Sequence, residues 1–470
     1  MISNMNITLI EPASSDWHVF SDFPLPRLGL PIVSAILKNE GHNTRIFCED
    51  LLPIDWDFVF SSDLVGISTI TSTAPRAYKI ASTIKERGIP VVIGGPHATF
   101  RPEEALTCGH YVIHQEGEET IKELVSALSN GCNLSDIQGL SYIEDGQFRH
   151  NPKRQLLKDL DNIPFPDIQA ISGYEKMPII PITTSRGCPF NCSFCSVTPM
   201  FGKGYRMKSI ESVISEIEWR KPNSIFFYDD NFTASPERTK RFLEELARKD
   251  LSPKNWTAQT RIDIAKDKEL LTLMKKTNCF FVYVGFESVN PGSLKEYRKG
   301  QTIDEIKEGI EALHKAGIRI HGMFVLGSDE DKVKTIRETE EFAKGYKIDT
   351  VQFLILTPLP GTKTFDDFDK AGRIFTYDWS LYDGMHCVYE PKNMTPYQLQ
   401  LGNIKALRKF YSFRSVIKLI LKLKFLNALF RYYGRRLSRK WEKKHKETLK
   451  RLKAFSIELA KKKERFFKKF

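Results

Sequence analysis

The sequence predicts an α/β protein in three parts. A doubly wound, Rossmann-like parallel sheet comes first, then a partial TIM-like (β/α)6 barrel, then a helical, basic C-terminal tail. Three observations predict this. Short apolar runs alternate with helix-period segments twice along the chain. A proline-spaced stretch, Leu156-Leu-Lys-Asp-Leu-Asp-Asn-Ile-Pro-Phe-Pro, separates the two series. Beyond about Arg408 lysine and arginine accumulate. The expected borders are residues 1–145, a linker over 146–174, a barrel over 175–385, and the tail over 386–470.

In the first part, Ile7-Thr-Leu-Ile-Glu-Pro reads as a buried strand and Leu30 to Lys38 as a helix that Gly41 ends. Strands follow from Thr44, Asp63, Pro90 and Tyr111, with helices over Ala77–Arg87 and Glu118–Leu128. Strands interleaved with helices give a parallel sheet, and such sheets bind ligands beyond the carboxyl ends of their strands. Those ends carry Ser68 and Thr69, the glycine pair Gly94-Gly95 before Pro96-His97, and Gly117 in Gln-Glu-Gly-Glu-Glu. Adjacent glycines let backbone approach a large flat ligand.

In the second part the strands begin near Ile179, Ser224, Trp256, Phe280, Ile318 and Thr350, with helices over Ser209–Lys221 and Ser235–Lys249. Barrel sites lie at the carboxyl ends of the strands. That rule selects Asp229 and Asp230, Arg261 and Asp263, Glu287 and Ser288, and Gly327. A Thr-Pro cap opens a helix over Thr395–Tyr411.

The first barrel strand delivers Arg186-Gly-Cys-Pro-Phe-Asn-Cys-Ser-Phe-Cys, with Cys188, Cys192 and Cys195 spaced C-x3-C-x2-C. Three thiolates can hold three irons of a [4Fe-4S] cube and leave the fourth iron open. Structural zinc usually takes four ligands. The other cysteines, Cys48, Cys108, Cys132, Cys279 and Cys387, stand singly, which favours the cluster and predicts only one. Eight cysteines in 470 residues are not a disulfide framework.

The triad, with Phe194 before its last cysteine, resembles the signature of the radical S-adenosylmethionine (SAM) enzymes. The resemblance implies that the open iron chelates SAM and that reductive cleavage yields a 5′-deoxyadenosyl radical. It further implies that Arg261, Glu287, Ser288 and Gly327 surround SAM, with Asp229 and Asp230 nearby; Tyr205 and Arg206 also match the family pattern, with buttressing of the loop as the alternative. The glycine and hydroxyl loops of the first part, with Pro26-Arg-Leu-Gly-Leu, resemble the cobalamin-binding domain of the B12-dependent members. Ser68, Thr69, Gly94, Gly95, His97 and Gly117 are then expected at cobalamin. Asp16-Trp-His18 lacks the glycine of the cobalt-ligating Asp-x-His-x-x-Gly motif, so His18 is not the expected cobalt ligand.

The resemblance implies a methylase acting on an unactivated carbon of a hydrophobic, lipid-like or polycyclic substrate. A cyclase or oxidase without methyl transfer is the alternative, and a non-catalytic cobalamin-binding protein a weaker one. Hopanoid methylases and an anaerobic ring cyclase of chlorophyll synthesis are similar. An electron donor such as flavodoxin or ferredoxin is implied.

The composition is that of a soluble globular protein, and no apolar run reaches the roughly 20 residues that span a bilayer. A cytoplasmic location is expected. The net charge of +12 sits mostly in the tail. Ser415 to Tyr433 is apolar with interspersed lysines, so the tail is expected either to lie on the inner membrane face, giving access to an insoluble substrate, or to pack as a hairpin with a solvated basic face. A nucleic-acid tail is the weaker reading.

Overall fold

A computed structural model describes residues 4–14 and 25–467. The first sheet contains β1 (Asn6–Glu11), β2 (Asn43–Cys48), β3 (Leu64–Ser68), β4 (Val91–Gly94), β5 (Tyr111–Ile113), β6 (Leu140–Glu144) and β7 (Gln147–His150). Its order is β2-β1-β3-β4-β5-β6-β7. The pairs up to β5 are parallel, and β6 and β7 add antiparallel. The order reverses between β1 and β3, which makes their carboxyl ends the crevice where ligands bind.

Alternation along each strand builds two cores, one per face. Leu9, Ile46, Leu64 and Val92 join Leu30, Leu37 and Leu124 on one side. Ile10, Phe47, Val65 and Val91 join Ile80 and Ile84 on the other. Helices Gly29–Asn39 and Glu118–Asn130 cover the first face, and Ala74–Lys85 covers the second.

The sequence reading did not include the β6–β7 hairpin. Its turn, Asp145-Gly146, has φ of 51° and 74°, the positive values a two-residue hairpin loop requires.

The second sheet contains β8 (Ile180–Ile182), β11 (Ser224–Phe227), β12 (Asn255–Thr260), β13 (Cys279–Glu287), β14 (Arg319–Leu326) and β15 (Thr350–Ile355). Its six parallel strands run in sequential order from β8 to β15, the expected partial barrel. A two-stranded ribbon, β9 (Ser185–Arg186) with β10 (Arg206–Met207), stands on the carboxyl end of β8.

The chain between the sheets is docked rather than free. Leu157 N–H donates to Glu116 at 2.8 Å, and Ser34 Oγ donates to Asp167 at 3.0 Å. After the barrel, helix Pro396–Phe410 packs on β15 behind the expected Thr395 cap, with Gln398 completing a capping box. Helices Phe413–Leu421, Phe425–Lys444 and Lys446–Phe467 follow. No helix among the described residues is long and apolar enough to cross a membrane.

Candidate functional site

The β9–β10 ribbon pinches off the loop that carries Cys188, Cys192 and Cys195. Its root needs Gly187, at φ +83°, where a Cβ would collide with the Gly204 carbonyl. Ser193 N–H donates to Tyr297 O at 3.2 Å, Ser193 O accepts from Thr364 N–H at 3.1 Å, and Phe194 meets Tyr297 edge-on at 5.1 Å. These contacts fix the loop from two sides.

All three thiols are half-buried and free. Burial raises each of them, Cys195 to about 12, while the charges of Lys299 and Arg261 partly offset it at Cys192. Among the described residues no three His, Cys, Asp or Glu side chains converge as a cage for one metal ion. Thiolates on separate corners of a cube stand farther apart than ligands of a single ion. Three soft sulfur donors on one pinned loop therefore fit an iron–sulfur cluster.

Beside the loop, β12 ends at Arg261 and β13 at Glu287. Arg261 lies over the Phe190 ring at 3.8 Å, donates to Asp263 at 3.2 Å, and donates to Lys299 O at 2.8 Å. Its Nη1 is buried without a partner, so one guanidinium nitrogen remains for an anionic ligand. Glu287, held at φ 60°, accepts from Lys299 Nζ at 2.8 Å, and both side chains are buried. Gly285 leaves the space this pair occupies, since a Cβ there would strike both Glu287 and Lys299.

The sequence reading missed Lys299. A lysine 12 residues beyond Glu287 carries no periodic signal and is found only once the chain folds back.

The other two residues expected near SAM are turned to packing. Ser288 Oγ accepts from Asn290 N–H at 3.0 Å. Gly327 N–H donates to Asp331 at 2.8 Å, its carbonyl accepts from Tyr389, and Tyr389 with Leu399 fills the space of a Cβ.

A cavity of about 320 Å³ lies at the carboxyl ends of β1, β3 and β4, between the two sheets. Ser68, Gly94, Gly95 and Gly117 line it from the first sheet, with Arg27 to Leu30. Thr183, Ser185, Arg186, Tyr228 and Asp230 close it from the barrel side. A Cβ on Gly29 would meet nothing within 4 Å and one on Gly94 only Ile113 O at 3.8 Å, so both glycines leave open room. Arg27 Nε and Glu118 Oε2 are buried at this wall without partners. Such a bed, apolar with unspent donors and acceptors at its edge, fits an amide-rich macrocycle such as cobalamin.

Two expected residues are absent from this wall. Thr69 is fully buried, and its hydroxyl donates to Ile70 O at 2.9 Å. His97 lies behind the glycine loop, 3.3 Å from Thr71 Oγ1 and 3.5 Å from Glu104, with its ring 5.0 Å from Trp379. It is a packing contact between the first unit and the segment after β15, because helix Pro96–Phe100 turns it inward. His18 lies outside the described residues.

Asp229 and Asp230 separate cleanly. Asp229 is fully buried and accepts from Thr184 N–H at 3.2 Å, Thr184 Oγ1 at 3.1 Å and Ser185 Oγ. It holds the start of the cysteine loop. Asp230 faces the cavity, where burial and then the Asp229 charge push its carboxyl up to about 6.

A charged joint ties the cavity wall to the cysteine loop. Glu116 accepts from Arg186 Nη1 at 3.0 Å and Arg206 Nη1 at 2.8 Å, and Glu118 accepts from Arg186 Nη2 at 2.5 Å. Burial raises the Glu116 carboxyl, but the hydrogen bond from Arg206 and the two guanidinium charges outweigh it and leave it below the usual range. Arg206 thus ties Glu116 to the Leu157 carbonyl and the Phe201 carbonyl beneath the loop. Glu116 and Arg186, 70 residues apart, were not legible as partners.

Residues 182–371 match the Radical SAM superfamily, and residues 21–125 match the B12 binding domain. A Pyrococcus horikoshii protein named as an uncharacterized methyltransferase is 36% identical over 406 residues, covering 82% of this chain and 87% of that one. The bacteriochlorophyllide d C-12(1)-methyltransferase of Chlorobaculum tepidum is 29% identical over 380 residues, 78% of each chain. Among solved structures, the radical S-adenosylmethionine methyltransferase TsrM of Kitasatospora setae, with cobalamin and a [4Fe-4S] cluster bound, shares the fold. It is 18% identical, with a TM-score of 0.66 over 78% of each chain.

Proposed function

The chain belongs to the cobalamin-dependent radical SAM enzymes, and from that premise we propose that it methylates an unactivated carbon of a hydrophobic substrate, polycyclic or lipid-like. It is an enzyme whose cofactors are a [4Fe-4S] cluster, SAM and cobalamin. When bound, these groups supply hydrogen abstraction from an inert C–H bond and a methyl group for the resulting carbon.

The chain's own residues take the remaining tasks. Cys188, Cys192 and Cys195 hold the cluster. Arg261, through its unspent nitrogen, receives the SAM carboxylate. Glu287, oriented by Lys299, accepts from the amino group or the ribose hydroxyls. Ser68, Gly94, Gly95 and Gly117 bed the macrocycle. Asp230, titrating at about 6 on the far wall, can take up or return a proton beside the substrate. In this division of labour the cobalamin unit spans 1–145, the linker 146–174, with β7 at its start, the barrel 175–385, and the tail 386–470. A low-potential flavodoxin or ferredoxin is the proposed reductant.

The observation that carries this reading is the shared cavity. One wall is the glycine bed at the β1/β3 crevice, and the other includes Arg186 at the root of the cysteine loop. A substrate held there lies between both chemistries and away from water. The polycyclic substrate class is supported by the C. tepidum relative, which is named for acting on bacteriochlorophyllide d.

The test is anaerobic reconstitution with SAM, cobalamin, reductant and a panel of tetrapyrrole and polycyclic lipid substrates. Methyl transfer yields both S-adenosylhomocysteine and 5′-deoxyadenosine and a product heavier by CH2. Deoxyadenosine alone, with a product that has lost hydrogen, would assign ring closure instead.

A further inference from the structure

Among the described residues, nine of the 17 large hydrophobic side chains that lie exposed fall between Phe413 and Tyr432. All seven residues from Ile420 to Leu426 are exposed, alternating apolar and basic through Leu421-Lys-Leu-Lys-Phe425. They form the turn between helices Phe413–Leu421 and Phe425–Lys444. Leu421 and Leu423 are 78% and 76% exposed.

The backbone of this turn singles out Leu423. Its N–H donates to Ile420 O at 2.9 Å, and Lys424 N–H donates to Leu419 O at 2.9 Å. These are the two bonds of a Schellman motif, whose left-handed position glycine usually fills. Leucine occupies it here at φ +57°. The chain therefore accepts an unfavourable backbone state and an exposed leucine at one position, where glycine would relieve both. Folding alone gives no reason for that side chain.

Charge identifies what the tip meets. From Pro391 to Trp441 the sequence has 13 lysines and arginines and no aspartate or glutamate. Arg414, Lys418, Lys422 and Lys424 are exposed around the apolar tip. A second copy of the chain would bring two such cationic clusters together. An anionic bilayer accepts both features at once, leucines into the acyl boundary and lysines among the headgroups.

The turn is also rigidly mounted. Arg431 donates to Phe410 O at 2.7 Å and Ile348 O at 2.9 Å, Asn427 donates to Asp349 at 2.6 Å, and Phe430 packs 5.5 Å from Phe281.

We propose that the Ile420–Leu426 tip is an in-plane anchor for an anionic phospholipid surface. Asp349 and Ile348 precede β15, and Phe281 lies near the start of β13, so the tip sits at the amino ends of the barrel strands. The cysteine loop stands at their carboxyl ends. The anchor tethers the protein at the membrane with its site turned away from the lipid. It is not a door through which an insoluble substrate enters, one of the two roles the sequence left open for the tail. The inference does not depend on the reaction catalysed.

The experiment is co-sedimentation of the full chain with vesicles of phosphatidylcholine alone and of phosphatidylcholine with phosphatidylglycerol. Binding is expected to the anionic vesicles and to weaken with salt. Neutralising Lys418, Lys422 and Lys424 together to glutamine should lower the partition coefficient roughly a hundredfold. Leu423→Gly, which eases the backbone and keeps the turn, should lower it about tenfold with an unchanged circular dichroism spectrum. A full chain that stays in the supernatant with anionic vesicles, equal binding to neutral ones, or undiminished binding by Leu423→Gly would each overturn the proposal. So would a dimer by light scattering that Leu423→Gly dissolves.

Discussion

Removing Glu116 tests whether the two cofactor regions are mechanically joined. Its carboxylate is 4% exposed and accepts from Arg186, Arg206 and the Leu157 N–H at 3.0, 2.8 and 2.8 Å. In Glu116→Ala, Arg186 keeps only Glu118, and Arg206 keeps only carbonyls at Leu157 and Phe201. Breaking a buried ion pair from one side costs about 3–5 kcal/mol. Water from the adjoining cavity can reach the vacated site, which places the loss at the lower end, about 3 kcal/mol. That energy is lost where Arg186 stands two residues from Cys188, so the cysteine loop shifts or loosens at its root. A displacement of about 1 Å at a reacting centre costs about a hundredfold in rate. The assay is 5′-deoxyadenosine formation at saturating SAM and reductant, with iron content and cobalamin affinity measured on the same sample. The expected result is unchanged iron, weaker cobalamin binding and a rate down by about a hundredfold, with Glu116→Gln intermediate because it keeps an acceptor without the charge. Full rate and full cobalamin affinity in Glu116→Ala would show that the joint is only structural packing and would refute the reasoning.

Three further outcomes are expected. Cys192→Ala should abolish SAM cleavage while leaving the circular dichroism spectrum unchanged, because the thiol is half-buried on a loop held by Ser193 and Phe194. Gly285→Ala should push the Glu287–Lys299 pair aside, cost about 1–3 kcal/mol of stability, and weaken SAM binding measured by equilibrium dialysis at least tenfold more than it weakens cobalamin binding. Burial pushes His321 down from 6.5 to about 4, with its hydrogen bond to Gln352 opposing in part. The folded state then binds fewer protons than the unfolded one between these values, so this contribution is full above 6.5 and is lost as pH falls toward 4. His321 should contribute at most about 1.4 kcal/mol per pH unit to the fall in stability across that window, read as the difference in thermal midpoints between the parent and His321→Gln.

The placements legible in sequence are those that follow from strand ends and local spacing. Cys188, Cys192 and Cys195 are fixed by their separation along a single loop, and Gly94, Gly95, Ser68 and Gly117 by following strands of a parallel sheet. Strand ends do not tell which way a neighbour points. Asp229 and Asp230 looked equivalent, yet one turns inward to Thr184 and Ser185 and the other to the cavity. Thr69 and His97 sit in the expected loops but on their hidden side: the turn at Thr71–Thr73 follows Thr69, whose hydroxyl bonds to Ile70 O, and the helix from Pro96 turns His97 inward. Gly327 suggested a close approach to a ligand, whereas Tyr389 and Leu399, more than 60 residues later, account for it. Lys299 and the Glu116–Arg186 contact depend on chain segments that meet only in three dimensions. The β6–β7 hairpin was legible, since Asp145-Gly146 is a standard hairpin turn. Its second strand is wholly exposed and offers no apolar face to mark it as a strand.

The most direct measurement of the central claim is the electron paramagnetic resonance spectrum of the reduced, anaerobically reconstituted protein, recorded before and after SAM is added. With three cysteine ligands and one open iron, SAM must change the cluster signal, and Cys192→Ala must lose both signal and response. A reduced cluster whose spectrum ignores SAM, or a loop that retains zinc in place of iron, would contradict the account.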